Sequence, residues 1–181
     1  EVFKMVLSEE DLVAPKSSDV AFDLQHYYDE PQHYEGRFHT YLPYISMLMN
    51  GIYWDEKYPR LVTKDALAKL YQEQNAPRLR VIGDISCDPN GSIECLEKIT
   101  NQDQPTFVYE PKSEKVIDGV AGQGPVVLGV DNLPCELSYD ASQHFSAMLM
   151  PFVPALAACD FNQSIDTLNL PLPLQKALIL H

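Results

Sequence analysis

No apolar run in this chain approaches the roughly 20 residues that a bilayer-spanning helix needs. Basic residues are scarce as well. Against 26 Asp and Glu there are 13 Lys and Arg, a net charge of −13 at neutral pH. A surface so acidic repels nucleic acid and anionic lipid, and neither is expected as a main partner. An anionic cofactor stays open, because helix N-termini and backbone amides hold phosphates locally. Cysteine is sparse: Cys87, Cys95, Cys135 and Cys159 form no CxxC pair and no Cys/His metal spacing. They are expected to be reduced, mostly buried thiols of an intracellular protein, with no metal site. The first ten residues lack the pattern of a signal or transit peptide and begin on Glu1 instead of Met. The chain is therefore expected to be cut from something longer. It shows no internal repeat, low-complexity stretch or linker, so residues 1–181 are expected to form a single domain. Hydrophobic residues make up 45% and charged residues 22%, the balance of an ordinary globular protein.

Residues 1–30 read as acidic and irregular, and 31–42 as roughly helical. The 44–50 run reads as a strand ended by Gly51. Residues 63–71 read as a helix with Thr63 as its N-cap. Residues 79–86 are near-continuously apolar, as a strand covered on both faces should be. A short helix is expected over 92–99, and a small hairpin or excursion from 106–109 and 116–117. Another buried strand is expected at 126–130. A helix then runs from Tyr139 to Cys159 with Phe145, Met148, Leu149, Phe152, Val153 and Leu156 on one stripe. Pro151 and Pro154 should kink or divide it. A short helix or strand follows at 174–180. Strands alternating with helices predict an α/β fold with a parallel sheet. With about three core strands, it reads as the second half of a Rossmann-like dinucleotide-binding domain.

Two of the strand-like runs end on aspartate. Asp88 closes the run Leu79 to Cys87 and is followed by Pro89-Asn90-Gly91; Asp131 closes Val126 to Val130 and is followed by Asn132-Leu133-Pro134. In open α/β sheets ligands bind outside the carboxyl ends of the strands. A carboxylate there can favour a cationic intermediate or hold an ammonium group. The bland alternative for each is a turn whose carboxylate caps the backbone that follows. Gly119-Val120-Ala121-Gly122-Gln123-Gly124 is glycine-rich but precedes a strand, whereas a phosphate loop should follow one and open a helix. It reads as a flexible turn. His144 reads as a surface or interhelical residue, and His26, His33 and His39 as dispersed along a polar segment without partners. Trp54 suits either stacking on an adenine or plugging the core.

Several segments fall in a recognisable order. Asn50-Gly51-Ile52-Tyr53-Trp54 and Pro59-Arg60-Leu61-Val62-Thr63 come first. Ile82-Gly83-Asp84-Ile85-Ser86-Cys87-Asp88, Gly91-Ser92-Ile93-Glu94, Val130-Asp131-Asn132-Leu133-Pro134 and Ala141-Ser142-Gln143-His144-Phe145 follow. From about residue 20 onward the chain resembles the lysine–ketoglutarate reductase part of alpha-aminoadipic semialdehyde synthase. More distantly it is similar to fungal saccharopine dehydrogenase, alanine dehydrogenase and the transhydrogenase nucleotide-binding domain. The resemblance implies that L-lysine and 2-oxoglutarate condense to an imine, which NADPH reduces to saccharopine. It implies that Tyr53, Ile85, Val130, Asp131, Asn132 and Leu133 line the dinucleotide, and that Asp88 and Asp131 are the catalytic carboxylates beside the nicotinamide.

The family's acid–base lysine and histidine lie in an N-terminal domain with no match here, and the glycine-rich loop of the first Rossmann half has none either. The resemblance therefore implies a chain inactive alone, with 139–181 returning towards the missing catalytic domain. A half-domain leaves an apolar sheet edge open and is expected to associate with itself. The resemblance implies a location that is mitochondrial in an animal-type parent and cytoplasmic in a plant-type one. NADP and NAD are not distinguished, because the deciding charge ends the second Rossmann strand. Two other readings compete. One is a non-catalytic interaction or regulatory half-domain. The other is an alanine dehydrogenase-like enzyme, against which the Asn50–Trp54 and Ser142–Phe145 matches count.

Overall fold

The computed structural model describes residues 2–74, 76–164 and 167–179. The N-terminal segment is not irregular. It contains α1 (Glu9–Leu12), β1 (Val13–Pro15), α2 (Leu24–Asp29) and β2 (Tyr34–Gly36). Asp23 starts α2 by accepting the His26 N–H at 2.6 Å. The helical reading of 31–42 is corrected to two 3₁₀ turns, Pro31–His33 and Phe38–Thr40, on either side of β2. The cause is non-local: β1 pairs with β2 antiparallel, Val13 opposite Gly36, and draws that backbone into a ladder. Val13, Tyr27 and Tyr34 close a small core of their own.

The main sheet is built from β3 (Met47–Asn50), β4 (Val81–Asp84), β5 (Thr106–Glu110), β6 (Lys115–Asp118) and β7 (Val126–Leu128), in the order β3-β4-β7-β5-β6. β3, β4 and β7 are mutually parallel. The 106–117 segment is a true hairpin, and it forms the antiparallel side of the sheet by pairing β5 with β7. The fold is thus α/β with a mixed sheet. α3 (Lys64–Glu73) joins β3 to β4, capped by Thr63, which accepts the Ala66 N–H at 3.1 Å. Leu67, Leu70 and Tyr71, spaced i, i+3 and i+4, bury one face of α3 in a core with Ile82, Phe107 and Val127. Full burial of a leucine such as Leu67 contributes roughly 1.5–3 kcal/mol.

The short helix expected over 92–99 is absent. Ile93 instead forms a parallel bridge with Val62. Leu61 and Val62 both donate to the Ser92 carbonyl, at 3.0 and 3.1 Å, and Glu94 donates back to Val62 at 2.9 Å. The Glu94 carboxylate also holds Arg60 and the Lys64 N–H, each at 2.8 Å. These bonds to the chain ahead of α3 outcompete a local helix.

The glycine-rich run is a turn packed on β5. A Cβ at Gly124 would overlap the Tyr109 carbonyl oxygen, and backbone cannot rotate aside. Gly124→Ala is therefore expected to destabilise the protein by about 1–3 kcal/mol, read as a lower urea midpoint.

The chain divides into two compact units, 1–132 and 133–181. The second holds α4 (Ser138–Leu149), α5 (Val153–Ala158) and α6 (Leu172–Lys176), with a 3₁₀ turn at Met150–Phe152. Pro151 and Pro154 divide α4 from α5, as expected. The stripe of Phe145, Met148, Leu149, Val153 and Leu156 stays exposed. The final element is helical, and its expected end at Leu180 lies outside the described residues. Among the described residues no helix is long and apolar enough to cross a membrane.

Candidate functional site

Parallel pairing brings the carboxyl ends of β3, β4 and β7 to one edge. Asn50 lies opposite Asp84, and Gly83 opposite Leu128. Just beneath that edge is a buried polar cluster that the sequence reading missed. The Asn50 amide nitrogen reaches Asp84 Oδ1 and Ser92 Oγ, each at 2.9 Å, and Ser86 Oγ at 3.2 Å. Ser86 donates its N–H and its hydroxyl to the same Asp84 oxygen, at 3.2 and 2.6 Å. The amide must point this way, since the reverse would set Asn50 Oδ1 against the carboxylate. Asp84 is wholly buried, and Asn50 and Ser92 nearly so. Asn50 Oδ1 and Asp84 Oδ2 have no partner. The missed signal was a charged residue inside a run otherwise apolar enough to be covered on both faces.

Above the cluster the chain turns sharply. The Ile85 N–H donates to the Asn50 carbonyl at 2.7 Å, extending the ladder by one residue. Cys87 then adopts a left-handed φ of 57°, and Asn90 one of 56°. Such a conformation costs a non-glycine residue about 1–2 kcal/mol, and strain of this kind gathers at functional sites. Gly91 closes the turn by donating to the Asp88 carbonyl at 2.8 Å. A Cβ there would lie 2.8 Å from that oxygen.

Asp88 is exposed, and among the described residues its carboxylate has no hydrogen-bond partner and no following helix to cap. At the end of β7, Val130 is buried beside Thr100, and Asp131 emerges exposed and equally without a partner. Both aspartates act electrostatically on the Cys87 thiol. Burial pushes the Cys87 thiol up, and the carboxylates of Asp84, Asp131 and Asp88 push it further. Ile85 stands half-exposed at the same edge. Asn132 is exposed there, and its carbonyl accepts from Gln102 at 3.3 Å. Leu133 belongs to the second unit.

Tyr53 does not join this group. It is 83% exposed and lines a cavity of about 410 Å³ with Ile52 and Trp54, which none of Ile85, Asp88, Val130 or Asp131 touches. Trp54 is half-buried. Its indole donates to the Tyr58 and Pro59 carbonyls at 3.1 and 3.3 Å.

Two histidines read as partnerless are paired. His26 and His33 stack at 5.5 Å, and His26 Nδ1 meets the Tyr34 hydroxyl at 3.0 Å. His39 and His144 are exposed. All four cysteines are free, but only Cys87 and Cys95 are buried, so the expectation of mostly buried thiols holds for those two.

The edge presents one exposed apolar side chain, Ile85, beside the negative charge of unpartnered Asp88 and Asp131. In the glycine run Gly122 packs on Val108 and Gly124 on Tyr109, and the run leads into β7 and opens no helix.

Burial also sets a pH dependence. It pushes the Cys95 thiol and the Tyr109 hydroxyl each up to about 12. Both groups then hold protons in the folded chain that the unfolded chain releases near 9.0 and 10.0. Their contribution is intact below pH 9 and drains away between about pH 9 and 12. Urea denaturation should show Cys95 alone costing roughly 2 kcal/mol at about pH 10.5, and Cys95→Ala should remove that part of the slope.

Known proteins bear on the same residues. The model of the alanine dehydrogenase/PNT C-terminal domain matches residues 54–171. The chain is 34% identical, over 99% of its length, to an alpha-aminoadipic semialdehyde synthase of Arabidopsis thaliana. It is 31% identical, over 98%, to the mitochondrial alpha-aminoadipic semialdehyde synthase of Bos taurus. Over 63% of its length it is 32% identical to an NAD(+), L-lysine-forming saccharopine dehydrogenase of Schizosaccharomyces pombe, 28% of which is covered. The chain spans 16% of the plant relative and 20% of the bovine one. The resemblance read from the motifs is thereby met.

Proposed function

The chain belongs to the alanine dehydrogenase/PNT C-terminal domain family, and from that premise we propose that it supplies the nicotinamide-side wall of a reductase that joins L-lysine to 2-oxoglutarate. The observation that carries this reading is the pair of exposed, unpartnered carboxylates, Asp88 and Asp131, on the segments that follow two adjacent parallel strands, β4 and β7. The names of the plant, bovine and fission-yeast relatives support the substrate class.

In this reading Ile85, Val130, Asp131 and Asn132 bound the nicotinamide, with NADPH as the proposed form. The bound nicotinamide supplies a hydride to the carbon–nitrogen double bond of the condensed substrates. Asp88 and Asp131 hold negative charge where the imine nitrogen becomes cationic, and a site that excludes water strengthens that attraction. The buried Asn50–Asp84–Ser86–Ser92 cluster ties the end of β3 to the end of β4, the strand that leads into the turn carrying Asp88. The acid–base groups and the phosphate-binding loop come from outside this segment. The exposed stripe on α4 and α5 is assigned to packing against that remainder.

The test is an assay of the polypeptide that carries this segment. Loss of NADPH absorbance should require lysine and 2-oxoglutarate together, and saccharopine should accumulate in equal amount. Oxidation of NADPH with pyruvate and ammonia in place of both would support an alanine dehydrogenase-like enzyme instead. No oxidation with either pair would favour a non-catalytic half-domain.

A further inference from the structure

The cavity beside β3 has a chemistry of its own. Five aromatic residues line it: Tyr27, Tyr28, Tyr53, Trp54 and Tyr58. Three of them form a corner. The Tyr27 ring lies 5.3 Å from Tyr58 and 5.8 Å from Tyr28, and Tyr28 meets Tyr58 edge-on at 6.5 Å. The one charged group in the lining is Glu9, whose carboxylate is oriented by the Tyr28 hydroxyl at 2.8 Å. Among the described residues Glu9 takes part in no ion pair.

Aromatic faces attract cations within about 6 Å of the ring centroid. These rings already do so towards the protein's own side chains. The Lys57 ammonium sits 4.8 Å over Tyr58, and the Arg60 guanidinium 5.3 Å over Trp54. Neither cation lines the cavity, so its interior keeps the rings and the carboxylate without a counter-charge. Leu12 and Ile52 add apolar wall. At about 410 Å³ the space falls within the usual range for small-molecule sites.

We propose that this cavity binds an alkylammonium group on a short apolar stem. The rings and Glu9 take the charged head, and the aliphatic wall takes the stem. The lining carries no basic group to receive an anion, and its net charge is negative. This site is separate from the strand-end aspartates, none of which lines it, so it stands or falls independently of the reductase reading.

Trp54 is the chain's single tryptophan, so its emission reports directly on the cavity. The chain is titrated with n-butylammonium, n-butanol and n-butyrate. Butylammonium should give a saturable change in emission, with the alcohol and the carboxylate at least tenfold weaker. Glu9→Gln keeps an acceptor for Tyr28 and should weaken butylammonium about tenfold, leaving the circular dichroism spectrum and the butanol response unchanged. Tyr53→Ala, at a largely exposed ring, should weaken it several-fold. Blocked lysine, N-acetyl-lysine amide, identifies the source: binding as tight as butylammonium assigns the amine to a polypeptide side chain, and its failure alone assigns a free amine. Equal affinity for butanol, or no saturable response to butylammonium, would overturn the proposal. Displacement of butylammonium by NADPH would overturn it too, by making the cavity part of the dinucleotide site.

Discussion

Replacing Asp84 by alanine is expected to lower the unfolding free energy by roughly 3–5 kcal/mol, among the largest effects of any single change in the first unit. One carboxylate oxygen of Asp84 accepts three hydrogen bonds, from the Asn50 amide, the Ser86 N–H and the Ser86 hydroxyl. Alanine strands the part-buried Ser86 N–H and hydroxyl, while the Asn50 amide keeps Ser86 and Ser92, and each stranded group costs about 1–3 kcal/mol. It also removes the link that ties the end of β3 to the end of β4. Asp84→Asn keeps an acceptor oxygen in the same place and should recover most of the loss. Urea denaturation followed by far-ultraviolet circular dichroism measures both. A loss below about 1 kcal/mol for Asp84→Ala would mean that the cluster does not hold the strand ends together.

The parts of this fold that were legible in the sequence are those specified locally. α3 carries its own cap, Thr63, and its own stripe, Leu67, Leu70 and Tyr71, so its start and its buried face follow from spacing. Each β-branched run before Asp88 and Asp131 ends on a turn breaker, which made the turns visible; the strands themselves stop sooner, β4 at Asp84 and β7 at Leu128. What was missed is specified by distant partners. β1 and β2 are three residues each and exist because residues 13–15 meet residues 34–36. The 92–99 segment carries a helix-like pattern, but its backbone is claimed by Leu61 and Val62. The Asn50–Asp84 pair spans 34 positions. The aromatic cavity is assembled from residues 9, 27, 28, 53, 54 and 58. No window along the chain holds either group of residues.

If the parent polypeptide is the proposed reductase, Asp131→Asn is expected to slow its turnover by roughly a hundredfold. The substitution keeps shape and removes charge, at the end of β7 where the account places the cationic imine nitrogen. Asp131 is exposed and, among the described residues, bonded to no protein group, so the same change should alter stability by no more than about 0.5 kcal/mol. Fold and chemistry are thereby separated. NADPH affinity should stay within a few-fold, since the proposed reading takes the phosphate-binding loop from outside this segment. Asp88→Asn is expected to act in the same direction from the neighbouring turn. The deciding measurement is the single-turnover rate of NADPH oxidation, which includes formation of the cationic imine before hydride transfer, followed by stopped-flow loss of NADPH absorbance with lysine and 2-oxoglutarate saturating. The account predicts that the Asp131→Asn rate falls about a hundredfold below that of the unaltered enzyme. Equal rates in the two proteins would contradict it.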